Sequence, residues 1–196
     1  MKSRLSGWNT ITTQLPVMRM KNSLILLLLL WLAEACNTSA SGPSRDTTIT
    51  STARQQELAV ELSGIVADSL LSKDTLAVMI LPFAASCPSC RDKTIDSIMA
   101  FRGNIPENHY IVFSIDGGRK SIRGYFRSAG HQGIPDIPGV LIYDSTDVAG
   151  SRKLYRENPA FFYLSKGKVV RKIDALPHTV REDLREFFRG YRLNEK

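Results

Sequence analysis

Two cysteines three residues apart, Cys87-Pro88-Ser89-Cys90, come directly after the apolar run Leu76-Ala77-Val78-Met79-Ile80-Leu81-Pro82-Phe83 and directly before a helical pattern. An apolar run of that length, bounded by a turn, is the signature of a buried strand, and the periodic segment behind it reads as a helix. The pair is thereby pinned to a strand-to-helix junction. Cys87 then stands at a helix N-terminus, where exposed N–H groups and the macrodipole stabilise a thiolate. A purely structural crosslink over so short a loop would stabilise the fold by only about 2 kcal/mol on chain-entropy reckoning. Thiol and disulfide exchange is the better use of the pair. Metal binding is the rival, since zinc and copper sites also use this spacing. A closed zinc site wants four ligands, usually from a second close cysteine pair or closely spaced histidines. His109, His131 and His178 are scattered, so no metal site is assigned. His131 is the histidine to follow, because its loop can face the thiols.

The first 35 residues read as a signal peptide. Met18-Arg19-Met20-Lys21-Asn22 supplies a basic start, and Ser23 to Leu32 an apolar stretch of secretory length, short for a membrane span. Residues before Met18 add no better basic start, so Met18 or Met20 is a candidate true start. Ala33-Glu34-Ala35-Cys36 closes the apolar stretch and looks like a bacterial lipobox, with Ala33 and Glu34 departing from the usual pattern. Cys36 is thus the expected lipidation site, and the membrane an expected partner through that lipid. Ala33-Glu34-Ala35 also satisfies ordinary signal cleavage, which would release a soluble secreted protein; an uncleaved anchor is a third possibility. Of 3 cysteines, two form the close pair and the third sits at the cleavage point. Export places the pair where disulfides form and persist, so a dithiol there needs an electron supply or an oxidant. The expected location is the bacterial cell envelope, facing the periplasm or cell surface.

Formal charge is +7, but four cations and one acid precede Cys36, leaving +4 for the rest. Basic and acidic residues interleave there, as in Arg181-Glu182-Asp183-Leu184-Arg185-Glu186, which reads as a solvated helix face and not a nucleic-acid patch. No nucleic-acid partner is expected. Residues 36–51 are rich in Ser and Thr and cannot build a core, so they read as a flexible tether of roughly 20 Å mean span.

Residues 52–196 form the expected folded domain. Thr52-Ala53-Arg54-Gln55 resembles a capping box, with Leu58, Leu62, Ile65, Val66 and Leu70 at helical spacing behind it, predicting one amphipathic helix. The strand into Cys87 follows, then a helix marked by Ile95, Ile98 and Met99. Tyr110 to Ile115 reads as a strand, Ile122 to Ala129 as a short helix, Val140 to Tyr143 as a strand, and Asp147 to Tyr155 as a short helix. Ala160 to Leu164 and Val169 to Ile173, joined by Ser165-Lys166-Gly167-Lys168, predict a hairpin, and Val180, Leu184, Phe187 and Phe188 a terminal helix. Alternating strands and helices followed by a hairpin and a helix describe an α/β domain, a central mixed sheet with helices on both faces.

That order, with CxxC between the first core strand and its helix, resembles the thioredoxin fold, in particular exported thioredoxin-like proteins of the TlpA/redoxin type. The resemblance spans roughly Thr75 to Tyr191. Phe83-Ala84-Ala85-Ser86-Cys87-Pro88-Ser89-Cys90 is similar to the family's aromatic-Ala-x-Trp-Cys-x-x-Cys stretch. Glu157-Asn158-Pro159-Ala160-Phe161-Phe162-Tyr163-Leu164 is similar to its strand opened by a cis-proline, and Ser165-Lys166-Gly167-Lys168-Val169-Val170 to its charged hairpin turn.

The resemblance implies that Cys87 attacks, Cys90 resolves and a cis Pro159 shapes a substrate groove, with Asn158, Ser86, Pro88 and Ser89 around it. It implies a disulfide oxidoreductase with no cofactor beyond its redox-active disulfide. A membrane thiol carrier would feed it, and oxidised envelope proteins or apocytochrome c would receive the electrons. Two positions depart from the pattern: Ser86 replaces Trp, and Leu81 stands where many thioredoxins bury a carboxylate that moves the proton of the resolving thiol. A thioredoxin-like binding or metallochaperone lipoprotein without turnover is the alternative. A peroxiredoxin would want PxxxTxxC, and Pro82 and Ser86 precede Cys87 at other spacings.

Overall fold

The computed structural model describes residues 45–190. The expected signal peptide, Cys36 and residues 36–44 of the expected tether lie outside them.

β2 (Thr75–Pro82) forms on the longest apolar run of the domain, and every side chain from Leu76 to Pro82 is buried. A strand covered on both faces belongs mid-sheet. It pairs in parallel with β3 (His109–Ser114) and antiparallel with β5 (Ala160–Ser165). β4 (Leu141–Asp144) extends the parallel side, and β6 (Lys168–Asp174) and β1 (Asp46–Thr48) the antiparallel side. The resulting order is β1-β6-β5-β2-β3-β4.

Side chains of β2 divide by parity, as the two-residue period of a strand requires. Val78 and Ile80 face α1 (Thr52–Leu62), α2 (Asp68–Leu71) and α5 (Val148–Ser151). Met79 and Leu81 face α3 (Pro88–Phe101), α4 (Gly118–Ser128) and α6 (Val180–Arg189). Two parallel β-α-β units, then an antiparallel hairpin and a closing helix, make this an α/β thioredoxin-like fold with helices on both faces. The hairpin turn is the two-residue kind expected: Lys166 and Gly167 both take positive φ, 48° and 74°, which matches the twist of the flanking strands.

Four local expectations are corrected. The predicted single helix from Thr52 to Leu70 is two, because Gly64 turns left-handed at φ 83° and Arg152 reaches in to hold the carbonyls of Glu61 and Ser63. Its cap is Ser51, whose hydroxyl accepts the Arg54 N–H at 3.5 Å, one residue before the expected Thr52. The short helix expected over Asp147 to Tyr155 is only four residues, started by the Asp147 carboxylate on the Gly150 N–H and followed by Lys153 at φ 57°. The 182–186 face is not wholly solvated: Asp183 is buried, and Glu186 pairs with Arg171.

The tether boundary at 51/52 also falls too late. Asp46, Thr47 and Thr48 pair with Ile173, Lys172 and Arg171, the open edge of β6 supplying the backbone partners that a polar sequence does not advertise. Arg171 clamps Asp46 through two nitrogens, at 2.8 and 2.7 Å. Arg45 forms an ion pair with Asp183 of α6, and its carbonyl accepts the Asp174 N–H at 2.8 Å.

Burial raises the Asp183 carboxyl above the ordinary carboxylate range, and Arg45 opposes that rise. The native state therefore binds this proton more tightly than the unfolded chain, and the group's contribution to stability falls as pH rises from about 4 through the raised value. Replacing Arg45 by Gln removes the opposing charge. The loss should be about 2 kcal/mol at pH 7, below the full cost of a buried lone charge because Arg45 is 27% exposed, and much smaller near pH 4. Urea unfolding at the two pH values checks this. An equal loss at both would show that the charge pairing is not what fastens residue 45 to α6.

Candidate active site

The cysteine loop is built by backbone bonds that follow from where β2 stops. Phe83 N–H still donates to Ser114 of β3, at 3.0 Å, and the Ser86 N–H then turns back onto the Pro82 carbonyl at 3.1 Å. Cys87 follows, at φ −48° and ψ 126°, as the cap residue of α3. Pro88 takes the first helical position, where its missing N–H costs no bond and its fixed φ suits the helix. The Cys87 carbonyl accepts from Cys90 and Arg91 at 2.9 and 3.0 Å, closing the first turn. Across the loop, the Cys87 N–H donates to the Glu157 carbonyl at 3.2 Å. That bond brings segment 157–159 to the cysteine pair.

The two thiols are free and unlike. Cys87 is partly exposed, with its sulfur 3.2 Å from the Ser89 hydroxyl. The Ser89 hydroxyl is the largest influence that pulls the Cys87 pKa down to about 7, followed by the backbone N–H and thiol of Cys90. Cys90 is fully buried beside Leu81, Phe83 and Ile95. Burial first, and then the hydrogen bond and charge of Cys87, push its pKa up to about 11, with Lys93 acting weakly the other way. At neutral pH an accessible, half-ionised nucleophile thus lies against a protonated thiol held in reserve.

The other predicted residues are gathered around this pair in differing degrees. Pro88 and Ser89 are exposed, and Ser86 and Pro159 are buried. The hydroxyl oxygen of Ser86 and the side-chain carbonyl oxygen of Asn158 are buried without a hydrogen-bond partner among the described residues. The Asn158–Pro159 bond is trans, which corrects the expected cis-proline; there is no cis peptide bond among the described residues. A sharp approach to β5 is achieved without one, because the Glu157 carbonyl is held by Cys87 and the Pro159 carbonyl by the Ala175 N–H at 2.9 Å. His131 is bonded to Asp96 of α3 at 2.9 Å, so its ring nitrogen is engaged six residues beyond Cys90. Leu81 is fully buried in the cluster that holds Cys90.

Ser89 was legible as a neighbour but not as the group that sets the thiol, since a hydroxyl two residues on carries no periodic signal. Arg91 went unread as well. Its guanidinium lies 4.5 Å over the Tyr125 ring and reaches the Phe83 carbonyl at 3.5 Å, pinning the cysteine loop to α4.

No family model matches the chain, and no curated protein does. Among solved structures, the chain is similar to a candidate thioredoxin of Neisseria meningitidis at 16% identity and a TM-score of 0.39, covering 66% of this chain and 84% of that one. It is also similar to an uncharacterized conserved protein of Geobacillus kaustophilus at 14% identity and a TM-score of 0.33, covering 64% and 74%.

Alkylation of the reduced protein should modify Cys87 first, with a rate that reaches half its maximum near pH 7, while Cys90 stays protected until the chain is unfolded. Ser89→Ala should move that midpoint toward the ordinary thiol value of about 8.5. Mass-resolved iodoacetamide kinetics over pH decide it, and an unmoved midpoint would remove Ser89 from the account.

Proposed function

We propose that the chain is a thiol-disulfide oxidoreductase of the bacterial cell envelope, an exported TlpA/redoxin-type lipoprotein that exchanges disulfides through Cys87 and Cys90. The observation that carries this reading is the pairing of an exposed thiol of pKa about 7 with a buried one of about 11 at a helix start. In the proposed reaction the Cys87 thiolate attacks one sulfur of a partner disulfide. That S–S bond breaks, its other sulfur leaves as a thiolate and takes a proton from solvent, and a mixed disulfide forms on Cys87. Cys90 then gives up its proton and attacks the Cys87 sulfur, releasing the second partner thiol. The partner has gained two electrons, and Cys87 and Cys90 share a disulfide. A membrane thiol carrier restores the dithiol, and oxidised envelope proteins or apocytochrome c are the proposed recipients.

Placement at the membrane is part of the same proposal, through lipid on Cys36. The reductase direction is read from the family resemblance. A reduction potential near −270 mV would agree with it, whereas one near −120 mV would make the protein an oxidant.

With Cys90→Ser, mixed disulfides between Cys87 and partners should accumulate on non-reducing gels, and with Cys87→Ser they should not. Equal trapping by both variants would reverse the assignment.

A second test concerns the proton on Cys90. Once Cys87 is in a mixed disulfide its charge is gone, so burial alone keeps the Cys90 thiol protonated. Burial is the largest of the influences that raise the Cys90 pKa and still holds it above the ordinary thiol value, so at pH 7 only a small fraction of the thiol is ionised. Resolution should therefore speed up about tenfold per pH unit between roughly pH 6 and 8, below the ordinary thiol value of about 8.5. Leu81→Asp should accelerate it near neutrality by offering a base beside the buried thiol, at a stability cost of about 3 kcal/mol. Stopped-flow reduction of a Cys87 mixed disulfide measures both. A flat profile, untouched by the substitution, would show that Cys90 deprotonation is not the slow step.

A further inference from the structure

Two helices carry three exposed arginines at four-residue intervals, α6 with Arg181, Arg185 and Arg189 and α4 with a row that borders a larger groove and has no part in the thiol chemistry. α4 carries Arg119, Arg123 and Arg127 at four-residue intervals, all exposed, and they line one side of a groove of about 650 Å³. Its other side is the loop 132–139 and its floor is the edge strand β4, through Leu141 and Tyr143. Two arginines are braced there. The Arg119 guanidinium lies 4.5 Å over the Tyr143 ring and 3.4 Å from its hydroxyl, and the Arg123 stem runs beside Gly133, where an added Cβ would be 3.7 Å from it. No carboxylate lies within ion-pair distance of any of the three among the described residues. Asp136 is the one acid in the lining.

We propose that this groove binds an extended polypeptide segment with carboxylates at alternate positions. Arginines four residues apart on a helix are stepped by about 6 Å along its axis. Alternate side chains on one face of an extended chain repeat at about 6.6 Å. Three arginines therefore meet three successive carboxylates in register, while the half-buried Leu141, Tyr143 and Ile134 offer apolar contact to the chain between them. The concave shape selects the occupant. A bilayer surface cannot enter a groove walled on both sides, and a lone phosphate cannot span a row about 12 Å long. The site is independent of the redox reading: none of its lining residues is among those gathered around Cys87 and Cys90.

The test is fluorescence anisotropy on the full-length chain with a labelled nine-residue peptide carrying Asp at alternate positions and Thr between. Controls are the same residues with the Asp in one block, an Asn version, phosphatidylglycerol vesicles and inorganic phosphate. The alternating peptide should bind, and should weaken steeply with salt. Arg123→Gln with Arg127→Gln should cost about tenfold, the scale of two charge-assisted contacts, and Asp136→Asn should tighten binding. Arg123→Glu with Arg127→Glu should abolish that binding and create affinity for the alternating Lys peptide, a gain that misfolding cannot produce. Equal affinity for blocked and alternating Asp, affinity untouched by the arginine changes, or binding of vesicles or phosphate in place of the peptide would each overturn the proposal.

Discussion

The burial of β2 on both faces is the constraint from which the remaining architecture follows. A strand with no polar face must be covered by helices above and below and by strands at both edges. The chain meets this with α1, α2 and α5 on one side, α3, α4 and α6 on the other, and β3 and β5 as neighbours. Covering the strand leaves only its end open. Cys87 lies five residues past Pro82, where the sheet stops and solvent begins, so its thiol is partly exposed for the same reason that Leu81 is not.

The asymmetry of the two thiols comes from the helix that starts between them. Cys87 caps α3 and faces outward, while Cys90, one turn in, points back into the core on the face that also buries Thr94, Ile95 and Ile98. Three residues of helix are enough to carry one sulfur from solvent into an apolar cluster. The local groups then widen the gap, because the Ser89 hydroxyl favours the thiolate on Cys87 and that thiolate in turn disfavours one on Cys90. In the proposed exchange, access decides which sulfur acts first.

What the sequence made legible was whatever hydrophobic periodicity and turn chemistry encode. The apolar run of 76–83, the helical spacing of Ile95, Ile98 and Met99, the Lys-Gly hairpin and the stripe Val180, Leu184, Phe187, Phe188 placed the sheet, the cysteines and the closing helix. β1 was not legible, because Asp46, Thr47 and Thr48 have no apolar alternation and form a strand only where β6 offers an edge. Asp183 was misread for a related reason. It sits in a run of charges that looks solvated, and only the distant Arg45 makes its burial tolerable. His131 could be assigned to a loop but not to a partner, since Asp96 is 35 positions away and the pairing depends on how that loop folds over α3.

The meeting of Cys87 with Glu157 shows how topology alone can assemble a site. β2 and β5 run antiparallel, with Ile80 opposite Ala160, so the residues leaving β2 and those approaching β5 must occupy the same end of the sheet. The 69 residues between Cys87 and Glu157 do not alter that. The Cys87 N–H and the Glu157 carbonyl both lie beyond the ladder, and they meet at 3.2 Å. A proline two residues later fits the same geometry. It has no N–H to satisfy as β5 opens, and its carbonyl is taken by Ala175 beyond the end of β6. The segment beside the thiols is thus fixed from both ends by main-chain bonds, which hold its place whatever side chains it carries.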